Sequence, residues 1–505
     1  MVRRVRSAAA LICAAAALLL VPVEGRAAVT SSNVASGILT ISIDDNPTVV
    51  AVTCDGGNVL VNGGNPTSGQ KACADLTQIS VVGGAAADTI DLSGVTAGAF
   101  TGVDTMTIST GAGADTITGS SLSDTIQAGA NGDSIDGGPG DDLFVYSSGD
   151  GSDLVEGGGG NDHLGMAGSA SGETITIEMT ANGVTVARTD LGLFTLDVRT
   201  TETIEIRAND GDDVITAESD VDVALELYGD GGADTLRGGA AADDLVGGPG
   251  ADTMNGDGGD DQFTWADGDG SDLINGSDGT DLVSLYLSLE GDQVVVASGP
   301  DDAVLVSWTN LGPFTVDARA IELLSVVSDL GNDTFTTELF EEVELEYIAG
   351  SGDDVLTVDA ACTAFSEPEE GVVEAVGRRP LMHSGFDEVT IGGGVSVTAD
   401  DAFPAEGGEG NLDIDTGDDC DWTAESSESW LEIATGSGTG PAGLAFTVAP
   451  NDGDERSAEI HAAGLVVTVT QAAGDAGPDD DDDGDSGGCG CRAGARGGDA
   501  AVLLL

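Results

Sequence analysis

Basic residues are scarce in this chain. Its 505 residues include 15 Lys and Arg against 90 Asp and Glu, a formal net charge of −75, and Lys71 is the only lysine. Such a chain repels a phosphate backbone, which excludes nucleic acid as a partner. Aromatics make up only 4%, so no large aromatic core can form. Histidine occurs three times, at His163, His383 and His461. None stands in H-E-x-x-H or beside a second ligand at helical spacing, which removes zinc chemistry. Long apolar runs are missing except near the start, where Ala8 to Val21 is too short to span a bilayer. Arg3, Arg4 and Arg6 before it, and the small residues Gly25 and Ala27 after it, make residues 1–28 a signal peptide for export. Cys54 and Cys73 share one polar loop region and suit a disulfide in an oxidising compartment. Cys362 and Cys420 are solitary and read equally as free thiols or as a bridge.

Glycine, by contrast, is abundant, with 78 residues, and it is periodic. Residues 229–264 read GDGGADTLR GGAAADDLV GGPGADTMN GDGGDDQFT, a period of nine held four times. The sixth place of each nonapeptide is Asp234, Asp243, Asp252 or Asp261; the eighth is Leu236, Leu245, Met254 or Phe263. Glycine hexads supply turns that need positive φ or close backbone approach. The next three residues form a short strand whose middle side chain points inward. A turn and a strand every nine residues wind a coil with two strands per circuit of eighteen. The Asp of one repeat then lies over the Asp two repeats on. Carboxylates so close repel unless a cation sits between them. Calcium suits the place, because it takes several oxygen ligands, carboxylates and exposed carbonyls among them. A merely solvated acidic surface would not hold Asp in phase with glycine.

This stretch resembles the RTX, or haemolysin-type, calcium-binding repeats, whose G-G-x-G-x-D-x-U-x pattern implies a parallel β-roll with bound Ca2+. Residues 247–255 fit it fully; Ala241 replaces glycine at position four, and Asp230 and Asp257 replace it at position two. Residues 110–145 repeat the pattern with Asp115, Asp124, Asp133 and Asp142 in phase, each 119 residues before its counterpart in the second set. Both sets run on through GDGSDL, at Gly149–Leu154 and Gly268–Leu273. Asp153, Asp162, Asp272 and Asp281 therefore join the other eight as candidate calcium ligands. Asp213 and Asp234 recur 120 residues later as Asp333 and Asp354, and the third copy then breaks off, with Thr363 in the next Asp place.

The fold expected is all-β: parallel β-roll or β-solenoid units in tandem, with a C-terminal immunoglobulin-like β-sandwich. Unit 1 covers residues 29–165, unit 2 covers 166–285, and a truncated unit 3 covers 286–360. Each is an alternating, strand-like spacer followed by a glycine–Asp ladder. Residues 361–404, Glu-rich with prolines, form a connector in which Phe386–Ile391 is a remnant strand. In residues 405–473, Cys420-Asp421-Trp422-Thr423-Ala424, Ser429-Trp430-Leu431-Glu432-Ile433, Leu444–Val448, Asn451, Arg456–Ile460 and Leu465–Gln471 follow in order. That order resembles a BACON domain, a small immunoglobulin-like sandwich often linked to carbohydrate. Trp422 and Trp430 either stack on sugars or pack the sandwich core.

The acidic, solvated tail 474–505 carries Gly488-Cys489-Gly490-Cys491-Arg492. This step resembles the myxobacterial C-terminal sorting tails and implies processing by a sorting enzyme at Cys489 and Cys491. Only Ala500–Leu505 is apolar after it, too short to cross a bilayer. Gly484-Asp485-Ser486-Gly487-Gly488 matches a serine-nucleophile pattern, but it has neither a strand before it nor a helix after it. The expectation is a non-enzymatic, calcium-binding protein, exported to the cell surface or beyond, structural or adhesive. Its alternatives are a glycan-binding adhesin acting through the sandwich, with extracellular glycans or surface polymers as partners, and an RTX-type secreted hydrolase.

Overall fold

A computed structural model describes residues 29–190, 192–288, 291–308, 314–359, 365–369, 372–375, 378–392, 395–416 and 420–474. The signal peptide and the sorting tail with Cys489 and Cys491 lie outside these residues. The chain divides into two units, 1–140 and 141–505.

In the first unit, two parallel ladders face each other. One stacks Ile38–Ser42, Gln78–Val82, Thr105–Ser109 and Asp124–Gln127; the other stacks Val49–Asp55, Thr89–Asp91, Thr116–Thr118 and Ser134–Pro139. Alternation decides which side chains go inside. Leu39, Ile79, Ile108, Ile90 and Ile117 point between the ladders and are at most 1% exposed. Cys54 and Cys73 form a disulfide that ties the edge of the second ladder to the following loop.

The second unit repeats the scheme over more rungs. One ladder runs through Ala224–Tyr228, Asp244–Val246, Gln262–Ala266 and Leu282–Tyr286 in register, so that Leu227, Leu245, Phe263 and Val283 stack. The other runs through Val214–Ala217, Thr235–Arg237, Thr253–Gly258 and Leu273–Asp278, stacking Ile215, Leu236, Met254 and Ile274. The spacers are not simple rungs. Thr174–Met179, Val184–Arg188 and Phe194–Arg199 form an antiparallel meander set into the second ladder, between Leu154–Gly159 and Val214–Ala217. Gln293–Ser298, Val304–Trp308 and Thr315–Arg319 do the same one copy later. Trp265 and Trp308 stack there with centroids 4.5 Å apart.

The stretch 361–404 differs from the expected connector. Leu381–Ser384 pairs with Glu344–Ile348 and Glu388–Gly392 with Val355–Asp359, both parallel, which adds one more rung. The sandwich already starts at Ser396–Ala399, which pairs with Gly408–Asp415. Its two sheets enclose Leu412, Ile414, Leu431, Phe446, Ile460 and Val469, all at most 2% exposed. Cys420 is disulfide-bonded, which settles the choice between thiol and bridge at that residue.

Candidate functional site

The glycine turns explain how close the rungs come. A Cβ on Gly250 would overlap the carbonyl oxygen of Gly232, and one on Gly232 would overlap that of Gly211. At Gly232 and Gly250 position four therefore takes glycine, because the rung beneath occupies the space of a side chain. Position two is different: Asp230 and Asp257 hold the left-handed φ of +61° and +69°, and Asp257 pairs with Arg237 at 2.6 Å. Gly250→Ala should therefore cost about 3 kcal/mol through overpacking. Asp230→Gly should be neutral or gain up to about 1 kcal/mol by releasing the strain. Thermal midpoints of the two variants in millimolar calcium measure the contrast.

All twelve aspartates singled out by the sequence are buried, between 0 and 5% exposed. They do not confront one another directly, as the stacking picture has it. Asp115, Asp133, Asp162 and all six of the second set reach to the rung before and accept a backbone N–H there. Asp133 Oδ1 takes the N–H of Asp115 at 2.7 Å, and Asp162 Oδ1 that of Asp142 at 2.9 Å. One line runs Asp213, Asp234, Asp252, Asp272, each N–H bonded to the next carboxylate at 2.7–2.8 Å. On the opposite turns a second line runs Asp243, Asp261, Asp281, with N–H to carboxylate distances of 2.9 Å.

One oxygen of each carboxylate is thus used. The second oxygen of Asp213, Asp234, Asp252, Asp261 and Asp281 is buried without a hydrogen-bond partner. Burial pushes the carboxyls of Asp234 and Asp252 up to about 6 and those of Asp213 and Asp261 up to about 7, against a partial lowering by the N–H each accepts. Asp124 and Asp243, also pushed up to about 6 by burial, turn their second oxygen to a local N–H, of Ser120 and Gly239 respectively.

What these oxygens face is informative. A Cβ on Gly229 would collide with Asp234 Oδ2 and lie 2.6 Å from the carbonyl oxygen of Gly247, one rung on. The same cradle recurs at Gly238 with Asp243 and Gly256 O. At Gly229, as at Gly276 with Asp281 Oδ2 and the Ala320 carbonyl, an under-used carboxylate oxygen and a neighbouring rung's carbonyl thus meet in one small glycine-lined space. Among the described residues no three His, Cys, Asp or Glu side chains converge, so carbonyls must complete any cation's shell. Oxygen-only donors, mixed carboxylate and carbonyl, suit calcium.

The lines extend past the nonapeptides. Thr48 donates to Asp88 and Asp88 to Asp115. Glu173 donates to Asp213, and Asp292 to Asp333. Asp333 donates to Asp354 and Asp354 to Asp387, so the third copy does not break off at Thr363. Glu202 and Glu322 take the N–H of Asp162 and Asp281. Sequence reading missed Glu173, Asp292 and Asp387 because they lack the full glycine frame, and missed Asp88 although Gly83-Gly84-Ala85-Ala86-Ala87-Asp88 has the same frame as Gly238–Asp243. The signal that Asp88, Glu173 and Asp292 share is an acid two residues before a buried apolar strand residue, as in Asp88-Thr89-Ile90 and Glu173-Thr174-Ile175.

In the sandwich, Trp422 is 7% exposed and its Nε1 donates to Gly440 O at 2.8 Å. Its ring packs the core, so it has no face to offer a sugar. The Trp430 ring lies under the Arg456 guanidinium, 4.3 Å from its centroid, so that face is also taken. His163 sits in a ladder strand, 3.2 Å from Glu205.

A family model described as RTX calcium-binding nonapeptide repeat (4 copies) matches residues 109–144, 147–164, 205–224, 228–263 and 266–285. A second, described as BACON, putative binding domain, matches residues 421–472. The chain therefore carries RTX repeats, whose ion is Ca2+, and a BACON domain. Among solved structures it is similar to a Bacteroides ovatus GH5 xyloglucanase in complex with a XXXG heptasaccharide. Identity is 26%, over 16% of this chain and 19% of that one, with a TM-score of 0.15. It is also similar to the extracellular lipase LipA from Serratia marcescens, at 20% identity over 47% of this chain and 43% of that one, TM-score 0.19. The chain spans less than half the length of either. No curated protein matches it.

Proposed function

We propose that this is an exported, calcium-binding β-roll protein of the bacterial cell surface, structural or adhesive and without a catalytic site. The observation that carries the reading is the half-satisfied, buried state of Asp234, Asp252, Asp261 and Asp281 in the ladder. Asp115, Asp124, Asp133, Asp142, Asp153 and Asp162 hold calcium in the first ladder, and Asp234, Asp243, Asp252, Asp261, Asp272 and Asp281 in the second. These acids are committed to backbone N–H groups and, through the remaining oxygens, to the ion. A carboxylate so held does not serve as an acid or base toward a substrate. Export is supported by the Cys54–Cys73 disulfide, which belongs in an oxidising compartment. No helix among the described residues is long and apolar enough to cross a membrane.

A glycan-binding role for the sandwich is the second reading. The feature that favours it is a groove lined by Thr416, Asp421, Ser437, Thr439 and Gly464, beside the edge of Trp422. Labelling intact producing cells with an antibody to the sandwich tests location, and a substrate panel tests chemistry. The expected result is surface labelling without hydrolysis, with the retained chain ending near Cys489. Hydrolysis, or a chain intact to Leu505 found only in the medium, overturns the surface-protein reading. Glycan-array binding abolished by Thr439→Arg would move the function to the groove.

A further inference from the structure

One carboxylate of the lines has a cation already. Glu173 occupies a ladder place: its N–H donates to Asp213 Oδ1 at 2.6 Å, and its Oε2 faces Gly168 as Asp234 Oδ2 faces Gly229. It is 2% exposed. Its Oε1 accepts the N–H of Ser169 at 2.8 Å and pairs with Arg188 Nη1 at 2.9 Å. Arg188 is itself 6% exposed, on the middle strand of the meander, and also donates to Asp190 and Ser148, both at 3.1 Å. Ile175, two residues after Glu173, stands opposite Arg188 in the antiparallel register.

The tandem copy gives the comparison. There Asp292 replaces Glu173, and Val294 stands opposite Trp308, which fills the place of Arg188. Asp292 is 1% exposed and its carboxylate is met by the Ser288 N–H and hydroxyl at 3.1–3.2 Å. The guanidinium is therefore particular to the first meander. A guanidinium is charged at any pH where the chain folds and donates in a fixed fork, so it can neutralise a buried carboxylate permanently.

We propose that Arg188 is a resident counter-ion that does for Glu173 what calcium does for the nonapeptide acids. It keeps the Glu173 end of the ladder folded in the absence of metal and makes it the seed on which the calcium-dependent rungs at Asp213, Asp234, Asp252 and Asp272 assemble. This rests on the calcium reading of those rungs.

Hydrogen exchange of the full chain in chelator and in millimolar calcium tests it. In chelator, segment 173–190 should stay protected while 229–264 exchanges as an open chain; calcium should protect both. Arg188→Gln should make 173–190 at least tenfold faster to exchange in chelator, with protection returning in calcium. Arg188→Lys, which keeps the charge, should restore part of the chelator-resistant protection. Exchange of 173–190 in chelator as fast as 229–264 in the native chain would overturn the counter-ion role. So would unchanged protection in Arg188→Gln. If 229–264 is instead protected in chelator, the calcium reading fails, while native and Arg188→Gln chains compared in chelator still decide the role of Arg188.

Discussion

Asp252→Asn should change sign with calcium: the variant is expected to be more stable than the native chain in chelator and less stable in millimolar calcium. Asp252 accepts the Asp234 N–H at 2.7 Å and donates its own to Asp272. Asparagine keeps an acceptor for that N–H and loses only the charge. In chelator the charge is a liability, because burial holds the carboxyl up at about 6 against an ordinary 3.8. That gap corresponds to a gain on the order of 2–3 kcal/mol when the charge is removed. In calcium the same charge is a ligand, and losing it weakens the ion and with it the fold that the ion completes. Asp252→Ala should be worse than Asn under both conditions, because it also orphans the buried Asp234 N–H at roughly 1–3 kcal/mol. The β signal of the three chains in chelator, and their urea midpoints in millimolar calcium, measure the crossover. A variant that shifts stability equally with and without calcium would show that Asp252 is only a backbone cap.

Acid should do in chelator part of what calcium does. The folded-state carboxyls of Asp213 and Asp261 lie at about 7 and those of Asp234 and Asp252 at about 6, each raised by burial from 3.8. Between about pH 4 and 7 the folded chain therefore binds more protons than the unfolded one. Metal-free stability must then fall as pH rises through that window and be recovered as pH drops through it. The relief of general repulsion at a net charge of −75 acts in the same direction. In calcium the slope should reverse, because protons compete with the ion for the same oxygens. The far-ultraviolet β signal at pH 5 and pH 8, with and without calcium, gives four values that must cross. A combined Asp213→Asn, Asp261→Asn variant should flatten the chelator slope; an unchanged slope would assign it to surface charge alone.

The nonapeptide text makes the core of this architecture legible, and the reason is steric. Gly232 and Gly250 are fixed by the carbonyl of the rung beneath them, and Leu245 or Met254 by the space between the ladders. Fourfold repetition of such constraints leaves a periodic trace. The meanders at 174–199 and 293–319 left a weaker one, since an alternating strand reads the same in parallel and antiparallel company. Residues 381–392 read as connector because Glu- and Pro-bearing text surrounds them, although Asp387 continues the carboxylate line. The pairing of Glu173 with Arg188 was invisible, because the antiparallel register of Thr174–Met179 with Val184–Arg188 sets it and no spacing rule records it. Trp422 had two readings in sequence; the N–H bond to Gly440 and its place in the core decide for packing.

Calcium titration of the full chain, followed by far-ultraviolet circular dichroism, is the most direct test that the ion completes the ladders. Sites of extracellular affinity, roughly 10⁻⁴–10⁻³ M, stabilise only modestly one by one at millimolar calcium, so many must act together. The β signal should be low in chelator and rise cooperatively toward millimolar calcium, with magnesium a poor substitute because of its tighter octahedral shell. A β signal already complete in chelator, and unchanged by calcium, would contradict it and return the 90 acidic residues to a solvated surface.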